Sequence, residues 1–160
     1  MGNVGKETAN VSKALGLQVQ AFDKFMDHEF AKENNIAVAK SIEELLDGAD
    51  ILSLHLPLKE DTEGIITLDL LQKVGVQDLF IINTARAELI EFEAIKQGLE
   101  EGILMGYCTD VMDEEPMPSD HPLKDLDNVL ITPHIGSRTF QSVERQGKMA
   151  VENLLNYIQY

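Results

Sequence analysis

Short apolar runs alternate with amphipathic stretches along the chain, and this alternation predicts its secondary structure. Val4, Val11, Ala14 and Leu15 recur at near-helical spacing and predict a helix over 3–15, which Gly16 ends because glycine readily adopts the left-handed conformation. Further helices are predicted over 27–34, 41–46, 67–74, 88–101 and 139–158. The apolar runs between them predict strands over 17–23, 36–39, 49–57, 79–83, 103–111 and 128–134.

Strands that are separated by helices of this length pair in parallel, so the pattern predicts an α/β domain with a doubly wound parallel sheet. The run LFIIN (79–83) shows no polar alternation, which predicts a strand buried on both faces. Ligands of such sheets bind beyond the carboxyl ends of the strands. The residues of interest at those ends are Asp23, Pro57, Arg86, Asp110 and His134.

Composition narrows the class of protein. The chain has 160 residues, 44% of them hydrophobic, and a formal net charge of −15. That charge disfavours nucleic acid and anionic membranes as partners, and no apolar stretch approaches the roughly 18 residues of a membrane span. The single cysteine, Cys108, fits a reducing compartment, so a cytoplasmic location is expected.

Two glycines open the chain in MGNVGKETA, and an acidic residue ends the next predicted strand. Gly2 and Gly5 have the spacing of the second and third glycines in the G-x-G-x-x-G turn that approaches a dinucleotide pyrophosphate. Asp23 follows at the position where a carboxylate binds the adenosine ribose and repels a 2′-phosphate. The alternatives are a glycine-rich helix start and a solvated turn residue. Together the three residues favour dinucleotide binding, and Asp23 favours NAD over NADP.

Three further residues have the chemistry that reduction of a 2-oxo acid requires. Arg86 can grip a carboxylate with two parallel hydrogen bonds, or it is a surface residue paired with Glu88 or Glu91. His134 can give or take the alcohol proton, although a lone strand-end histidine is more often structural. Glu115 can orient that ring, or it belongs to a solvated acidic loop.

Metal chemistry is not expected. The four histidines show no ligand spacing, and Cys108 has no partner cysteine. A G-x-S-x-G elbow is also absent from the sequence, so a serine hydrolase is not expected either.

The motifs, taken in order, resemble the D-isomer-specific 2-hydroxyacid dehydrogenase family, which includes D-3-phosphoglycerate dehydrogenase. MGNVGKETA is similar to its glycine turn, QAFD to its ribose-binding strand end and SLHLPLKEDTEGII to the stretch on the adenine side. INTARAELI resembles the segment with the catalytic arginine, YCTDVMDEEP the one with the catalytic glutamate, and TPHIGS the one with the catalytic histidine. The resemblance covers almost the whole chain.

The resemblance implies a Rossmann-like NAD-binding domain that serves hydride transfer between nicotinamide and a D-2-hydroxy acid or 2-oxo acid, with 3-phosphoglycerate-like acids among the candidates. It implies a homodimer and a catalytic set of Arg86, Glu115 and His134. The residues implied at NAD are Gly2, Asn3, Val4, Gly5, Asp23, Leu56, Thr84, Ala85, Arg86, Asp110, His134, Gly136 and Ser137.

The resemblance also implies what the chain lacks. Residues 1–160 correspond to an N-terminally truncated NAD-binding domain, without its first strand and without a substrate domain, so we expect a piece of a longer protein. Losing three or four buried side chains costs about 5–12 kcal/mol, which rivals the roughly 5–15 kcal/mol of a whole domain. Ala87 stands where the family usually has glycine, and a positive φ there would cost about 1 kcal/mol or more.

Two other functions stay open from the sequence. One is a non-catalytic NAD-binding or interaction module, as in the corepressors that resemble this family, and the other is an inactive fragment. The intact Arg86, Glu115 and His134 favour catalysis, whereas the truncation favours the other two functions.

Overall fold

The computed structural model describes residues 1–158, in which helices and strands alternate as predicted. The helices are α1 (Asn3–Ala14), α2 (His28–Glu33), α3 (Ile42–Leu46), α4 (Leu68–Val74), α5 (Phe92–Glu100) and α6 (Phe140–Ile158). The strands are β1 (Gln20–Ala21), β2 (Ala37–Val38), β3 (Ile51–Leu54), β4 (Leu79–Asn83), β5 (Leu104–Thr109) and β6 (Val129–Ile131). β1 and β2 are much shorter than the runs predicted over 17–23 and 36–39.

Local sequence signals fix several helix ends. Residues 41–44 form an S-x-x-E motif, and the Ser41 hydroxyl accepts a hydrogen bond from the Glu44 N–H at 3.2 Å at the start of α3. The Glu44 carboxylate reaches the N–H of Lys40 rather than that of Ser41. Gly16 adopts a φ of +86° just beyond α1, and Gly75 adopts +73° just beyond α4. Glycine therefore ends both helices without the cost that a side chain would add there.

The strands form two parallel sheets. β3, β4, β5 and β6 lie side by side in that order, and β1 pairs only with β2. Within residues 1–158, no strand lies between β1 and β3, so each has one unpaired edge. In the doubly wound order, this break is the place of the first strand. The fold is thus Rossmann-like, with its parallel sheet interrupted at that position.

The start of the chain lies at the carboxyl ends of the two unpaired strands. The Met1 ammonium group donates to the Phe25 carbonyl oxygen, beyond β1, at 2.6 Å. Gly5 in the first turn of α1 packs against His55, the residue after β3: a Cβ on Gly5 would lie 3.7 Å from the His55 Cβ. α1 therefore connects the two halves of the interrupted sheet at one end.

Two separate hydrophobic clusters reflect the break. The larger packs the sheet face of β3–β5 against α4 and α5, and its members include Leu52, Leu54, Leu71, Ile81, Ala94, Ile95, Leu104 and Tyr107. The smaller holds α1, α2 and the β1–β2 pair together around Ala9, Ala31 and Ile36. The clusters share no member. One polar contact between the two halves is the hydrogen bond from the Gln20 amide to the Glu44 carbonyl oxygen at 3.1 Å.

The prediction that β4 is buried on both faces is wrong. Leu79, Ile81 and Asn83 are fully buried on one face, whereas Phe80 on the other is 42% exposed. Ile51 of β3 and Leu130 of β6 are exposed on the same outer face. The apolar run therefore belongs to a sheet whose outer face is also apolar, and within residues 1–158 this face is exposed to solvent.

α6 is the amphipathic helix that the sequence predicts, but none of its residues is buried. Its apolar residues Val143, Leu154 and Ile158 are all more than half exposed. Among residues 1–158, no helix is both long and apolar enough to cross a membrane.

Candidate functional site

The carboxyl ends of the four central strands lie level with one another. Their last residues are paired in register across the sheet: Leu54, Asn83, Thr109 and Ile131. Asp110 follows β5 directly, whereas Arg86 and His134 each come three residues after the end of a strand. This alignment places the segments that carry all three residues along one edge of the sheet, where ligands of doubly wound folds bind.

Glu115 and His134 form the central contact of this edge. Nδ1 of His134 lies 2.9 Å from Oε2 and 3.0 Å from Oε1 of Glu115. A carboxylate only accepts, so Nδ1 carries the hydrogen and Nε2 is left for another partner. The bond from His134, assisted by the Met112 N–H at 3.1 Å, holds the pKa of Glu115 below its usual range. The pair is therefore an oriented imidazole beside an ionised carboxylate.

Asp110 anchors the segment that carries His134. Its carboxylate accepts bonds from the Thr132 hydroxyl at 2.5 Å and from the N–H groups of Ile135 and Gly136 at 2.9 and 2.8 Å. Burial by itself would raise the pKa of Asp110, but these three bonds outweigh it and lower the pKa. Gly136 must be small here, since a Cβ would lie 3.0 Å from Oδ2 of Asp110.

The backbone of His134 adopts a φ of 52°, which is unusual for a residue with a side chain. Its N–H donates to the Thr132 carbonyl oxygen at 3.0 Å, which closes a tight turn after β6. The bonds from Ile135 and Gly136 to Asp110 fix the far side of that turn. Such strain concentrates at functional sites, and here it sets the direction in which the His134 side chain leaves the backbone.

Arg86 lies in an exposed turn that is built on Asn83. The fully buried Asn83 amide donates to the Arg86 carbonyl oxygen at 2.8 Å and accepts from the Ala85 N–H at 3.0 Å. Among the ion pairs of residues 1–158, none involves Arg86, so its pairing with Glu88 or Glu91 is not seen. Its Nη1 donates to the neighbouring Ala85 carbonyl oxygen.

The strain anticipated at Ala87 does not occur. Ala87 is not among the residues with positive φ, and it begins a short 3-10 turn over Ala87–Leu89. Any L-residue adopts that conformation, so alanine stands there without the cost that a left-handed backbone would impose.

The amino end of α1 differs from those of the following helices. Gly2 is its N-cap, without a side-chain hydrogen bond, and the first turn has no acidic residue. Helices α2 to α5 each carry an acidic residue in the first turn. Around Gly2, no atom lies within 4 Å of an added Cβ, so the N–H groups of Asn3 and Val4 begin a helix with open space before it. In a chain this acidic, such an end fits an anionic pyrophosphate.

Asp23 lies two residues beyond β1 and close to this helix end. Its Oδ2 is 3.4 Å from the Met1 ammonium group, and its Oδ1 accepts from the Phe25 N–H at 2.7 Å. Lys24 instead forms an exposed ion pair with Asp61. The carboxylate and the glycine turn are therefore neighbours, as a ribose next to a pyrophosphate requires.

The other residues that the resemblance implies at NAD lie around the same end of the sheet. Leu56 is half-buried against the larger cluster, just beyond β3. Thr84 is exposed at the start of the Arg86 turn. Ser137 is exposed in the segment between His134 and α6, where its carbonyl oxygen accepts from the Gln146 amide at 3.2 Å.

Two residues that support the site, Asn83 and Thr132, are not predicted from the sequence. Asn83 holds the Arg86 turn, and Thr132 holds the Asp110 carboxylate. A polar residue that ends the otherwise apolar run LFIIN is the only signal for Asn83, and Thr132 has no signal beyond its place before a proline. Within the described part of the chain, no cluster of three histidine, cysteine or acidic side chains has the geometry to hold a metal ion.

The start of α1 has no side-chain cap and lies beside Asp23, at the carboxyl ends of parallel strands. This arrangement characterises a dinucleotide-binding domain of the Rossmann type. Residues 1–136 match the model of one such domain, described as the D-isomer specific 2-hydroxyacid dehydrogenase NAD binding domain. The chain therefore belongs to the D-isomer-specific 2-hydroxyacid dehydrogenase family, and NAD is its cofactor.

Individual relatives agree with this assignment. The chain is 32% identical to a glyoxylate reductase of Korarchaeum cryptofilum, over 98% of this chain and 47% of the relative. It is 33% identical to a D-3-phosphoglycerate dehydrogenase of Bacillus subtilis, over 98% of this chain and 29% of the relative. The NAD-complexed D-isomer-specific 2-hydroxyacid dehydrogenase of Lactobacillus delbrueckii superimposes with a TM-score of 0.87 at 26% identity, over 99% of this chain and 50% of that one. The chain thus spans half or less of these proteins.

Proposed function

We propose that this chain is the cofactor-binding part of an NAD-dependent oxidoreductase that interconverts a 2-oxo acid and a D-2-hydroxy acid. The observation that carries the proposal is the contact between His134 and Glu115 at the edge of the sheet. An imidazole oriented by an ionised carboxylate is suited to proton transfer with an alcohol oxygen. The relatives named glyoxylate reductase and D-3-phosphoglycerate dehydrogenase support small 2-oxo and 2-hydroxy acids as substrates.

Each of the three side chains has a separate role in this proposal. His134 keeps its Nδ1 hydrogen on Glu115, so its Nε2 gives a proton to the carbonyl oxygen during reduction and takes it back during oxidation. Glu115 accepts the Nδ1 hydrogen and thereby fixes the orientation of the ring. The exposed guanidinium of Arg86, which takes part in no ion pair within residues 1–158, binds the substrate carboxylate. NAD, when bound, exchanges the hydride.

The cofactor contacts follow from the same edge of the sheet. The N–H groups at the start of α1, from Gly2 to Gly5, bind the pyrophosphate, and Asp23 binds the adenosine ribose. Leu56 borders the adenosine. The nicotinamide side is formed by Thr84, Ala85, Arg86, Asp110, His134, Gly136 and Ser137. The ionised Asp23 repels a 2′-phosphate, so NAD is preferred over NADP.

The test follows NADH oxidation with glyoxylate, in this chain and in any longer protein that contains it. We expect turnover in the form that has a substrate domain, and His134→Asn lowers kcat by about 10²- to 10⁴-fold. His28→Asn is the matched control, because His28 is exposed at the start of α2. Turnover that survives His134→Asn removes the proposed proton donor.

We also propose that residues 1–160 form part of a longer protein in which a further parallel strand pairs with β1 and β3. The unpaired edges of β1 and β3 and the two separate hydrophobic clusters support it. The outer face of the sheet and the apolar stripe of α6 are both exposed, and these surfaces support a homodimer. Light scattering tests this proposal by measuring the mass of the particle in solution. The free, half-buried Cys108 supports a cytoplasmic location.

A further inference from the structure

His121 is a buried histidine outside the pair formed by Glu115 and His134. It is 9% exposed, and its ring meets the edge of Phe92 of α5, with centroids 5.9 Å apart and planes at 86°. It lies in the loop between β5 and β6, the same loop that carries Glu115. A side chain this buried is tied to the body of the domain, whereas Glu115 in the same loop is exposed.

The hydrogen bonds of His121 fix its tautomer. Nδ1 accepts from the Leu123 N–H at 3.2 Å, so the hydrogen of the neutral ring sits on Nε2. That Nε2 faces Oδ1 of Asp113 at 3.2 Å. His121 and His134 therefore use opposite tautomers: Nε2 donates to a carboxylate in the first, and Nδ1 does so in the second.

Asp113 links the buried ring of His121 to the turn that carries Glu115. Its side chain is 58% exposed, and His121 is its only hydrogen-bond partner within residues 1–158. Two residues further on, Glu115 accepts from the Met112 N–H at 3.1 Å, which folds the segment Met112–Glu115 back on itself. One side of this short turn is thus held by β5, and the other by the ring of His121.

We propose that His121 is a positioning residue, which ties Asp113 to the buried part of the loop and thereby holds Glu115 against His134. The Leu123 N–H occupies Nδ1 of the ring, and the N–H and carbonyl groups of His121 bond to Pro118 and Lys124. Nε2 is therefore the atom of the ring that is left for the contact with Asp113. The catalytic consequence rests on the proposed function, but the geometry does not.

The test reads histidine tautomers by ¹⁵N NMR in this chain, without cofactor or substrate. We expect His121 as the Nε2–H form and His134 as the Nδ1–H form. Asp113→Ala removes the acceptor at an exposed position, and we expect His134 to lose its fixed tautomer and to resemble the exposed His28. Asp113→Asn keeps an acceptor oxygen and retains the fixed tautomer of His134.

Three controls keep the result decisive. His121→Gln retains a donor near the Nε2 position and is expected to leave His134 closer to its original state than His121→Leu does. His28→Gln changes neither histidine, and urea midpoints show which variants stay folded. A fixed Nδ1–H form of His134 in folded Asp113→Ala, or an Nδ1–H form of His121 in the parent chain, overturns the proposal.

Turnover separates this proposal from the proposed function. In a form that oxidises NADH, Asp113→Ala is expected to lower kcat about 2- to 10-fold with little change in KM, as the loss of one orienting hydrogen bond predicts. If no form turns over but the tautomers change as expected, the proposed function fails and the positioning role stands. If turnover occurs and the tautomers do not change, the reverse holds.

Discussion

His134 is held by two independent sets of hydrogen bonds. The backbone on its carboxyl side is bound by Asp110 through the N–H groups of Ile135 and Gly136, and its ring is bound by Glu115. Neither carboxylate touches both parts of the residue. The position of the imidazole thus depends on two loops, one that follows β5 and one that follows β6, and a change in either loop displaces the ring.

Removing the charge of Asp110 tests the first set of bonds. Because its folded pKa is lowered, the carboxylate stabilises the fold above the usual aspartate range, and this stability is lost as pH falls through the lowered pKa. Asp110→Asn places an NH₂ group against a backbone N–H and is expected to cost about 1–3 kcal/mol at pH 7. The exposed Asp120→Asn is the control.

Urea unfolding at pH 7 and at pH 3 measures the effect. The free energy of unfolding of Asp110→Asn should fall below that of the parent chain at pH 7, and the two should converge at acid pH. An equal difference at both pH values would mean that the carboxylate charge does not hold the His134 segment.

At the scale of elements, the packing of α5 on β5 depends on a glycine. A Cβ on Gly98 would lie 2.9 Å from Cγ and 3.0 Å from Cδ1 of Leu104, which is 1% exposed and cannot move aside freely. Gly147 in α6 meets no atom within 4 Å. The same substitution therefore has opposite expected effects in two helices.

Gly98→Ala is expected to lower the free energy of unfolding by about 1–3 kcal/mol, since overpacking outweighs the gain in helix propensity. Gly147→Ala is expected to raise helix content and to stabilise the chain by at most about 1 kcal/mol. Urea titration followed by circular dichroism compares the two variants. A gain of similar size in both would show that α5 does not pack closely on Leu104.

For the whole molecule, the interrupted sheet is the dominant feature. The halves on either side of the break have their own hydrophobic clusters and are joined by α1 and by polar contacts such as Gln20 to Glu44. Unpaired strand edges expose backbone groups that readily pair with another strand. Neither half alone has the core of a typical domain, so we expect a low stability for the chain as it stands.

An apolar strand of about six residues, joined before Met1, tests the proposed strand position. If it pairs with β1 and β3, three or four side chains become buried and the free energy of unfolding rises by about 5 kcal/mol or more. A Gly/Ser extension of equal length is the control. Equal stability of the two extended chains would overturn the proposed strand position.

The secondary-structure elements, their order and the residue types of the site can be predicted from the amino-acid pattern. The spacing of apolar residues indicates which side chains face a core, and α1, α4, β4 and β5 lie close to their predicted limits. The alternation of strands and helices predicts the parallel pairing of the strands. The ordered motifs from the glycine turn to His134 indicate the family that the match over residues 1–136 confirms.

Which side chains contact one another depends on the folded structure. The bonds from Asn83 to the Arg86 turn, from Asp110 to the His134 segment and from His121 to Asp113 join residues whose sequence gives no pairing signal. The exposure of Phe80 could not be predicted from the sequence either, because an apolar residue in a strand has the same sequence pattern whether or not its side chain is covered. Burial and hydrogen bonding depend on neighbours brought together by the fold, and no local pattern encodes them.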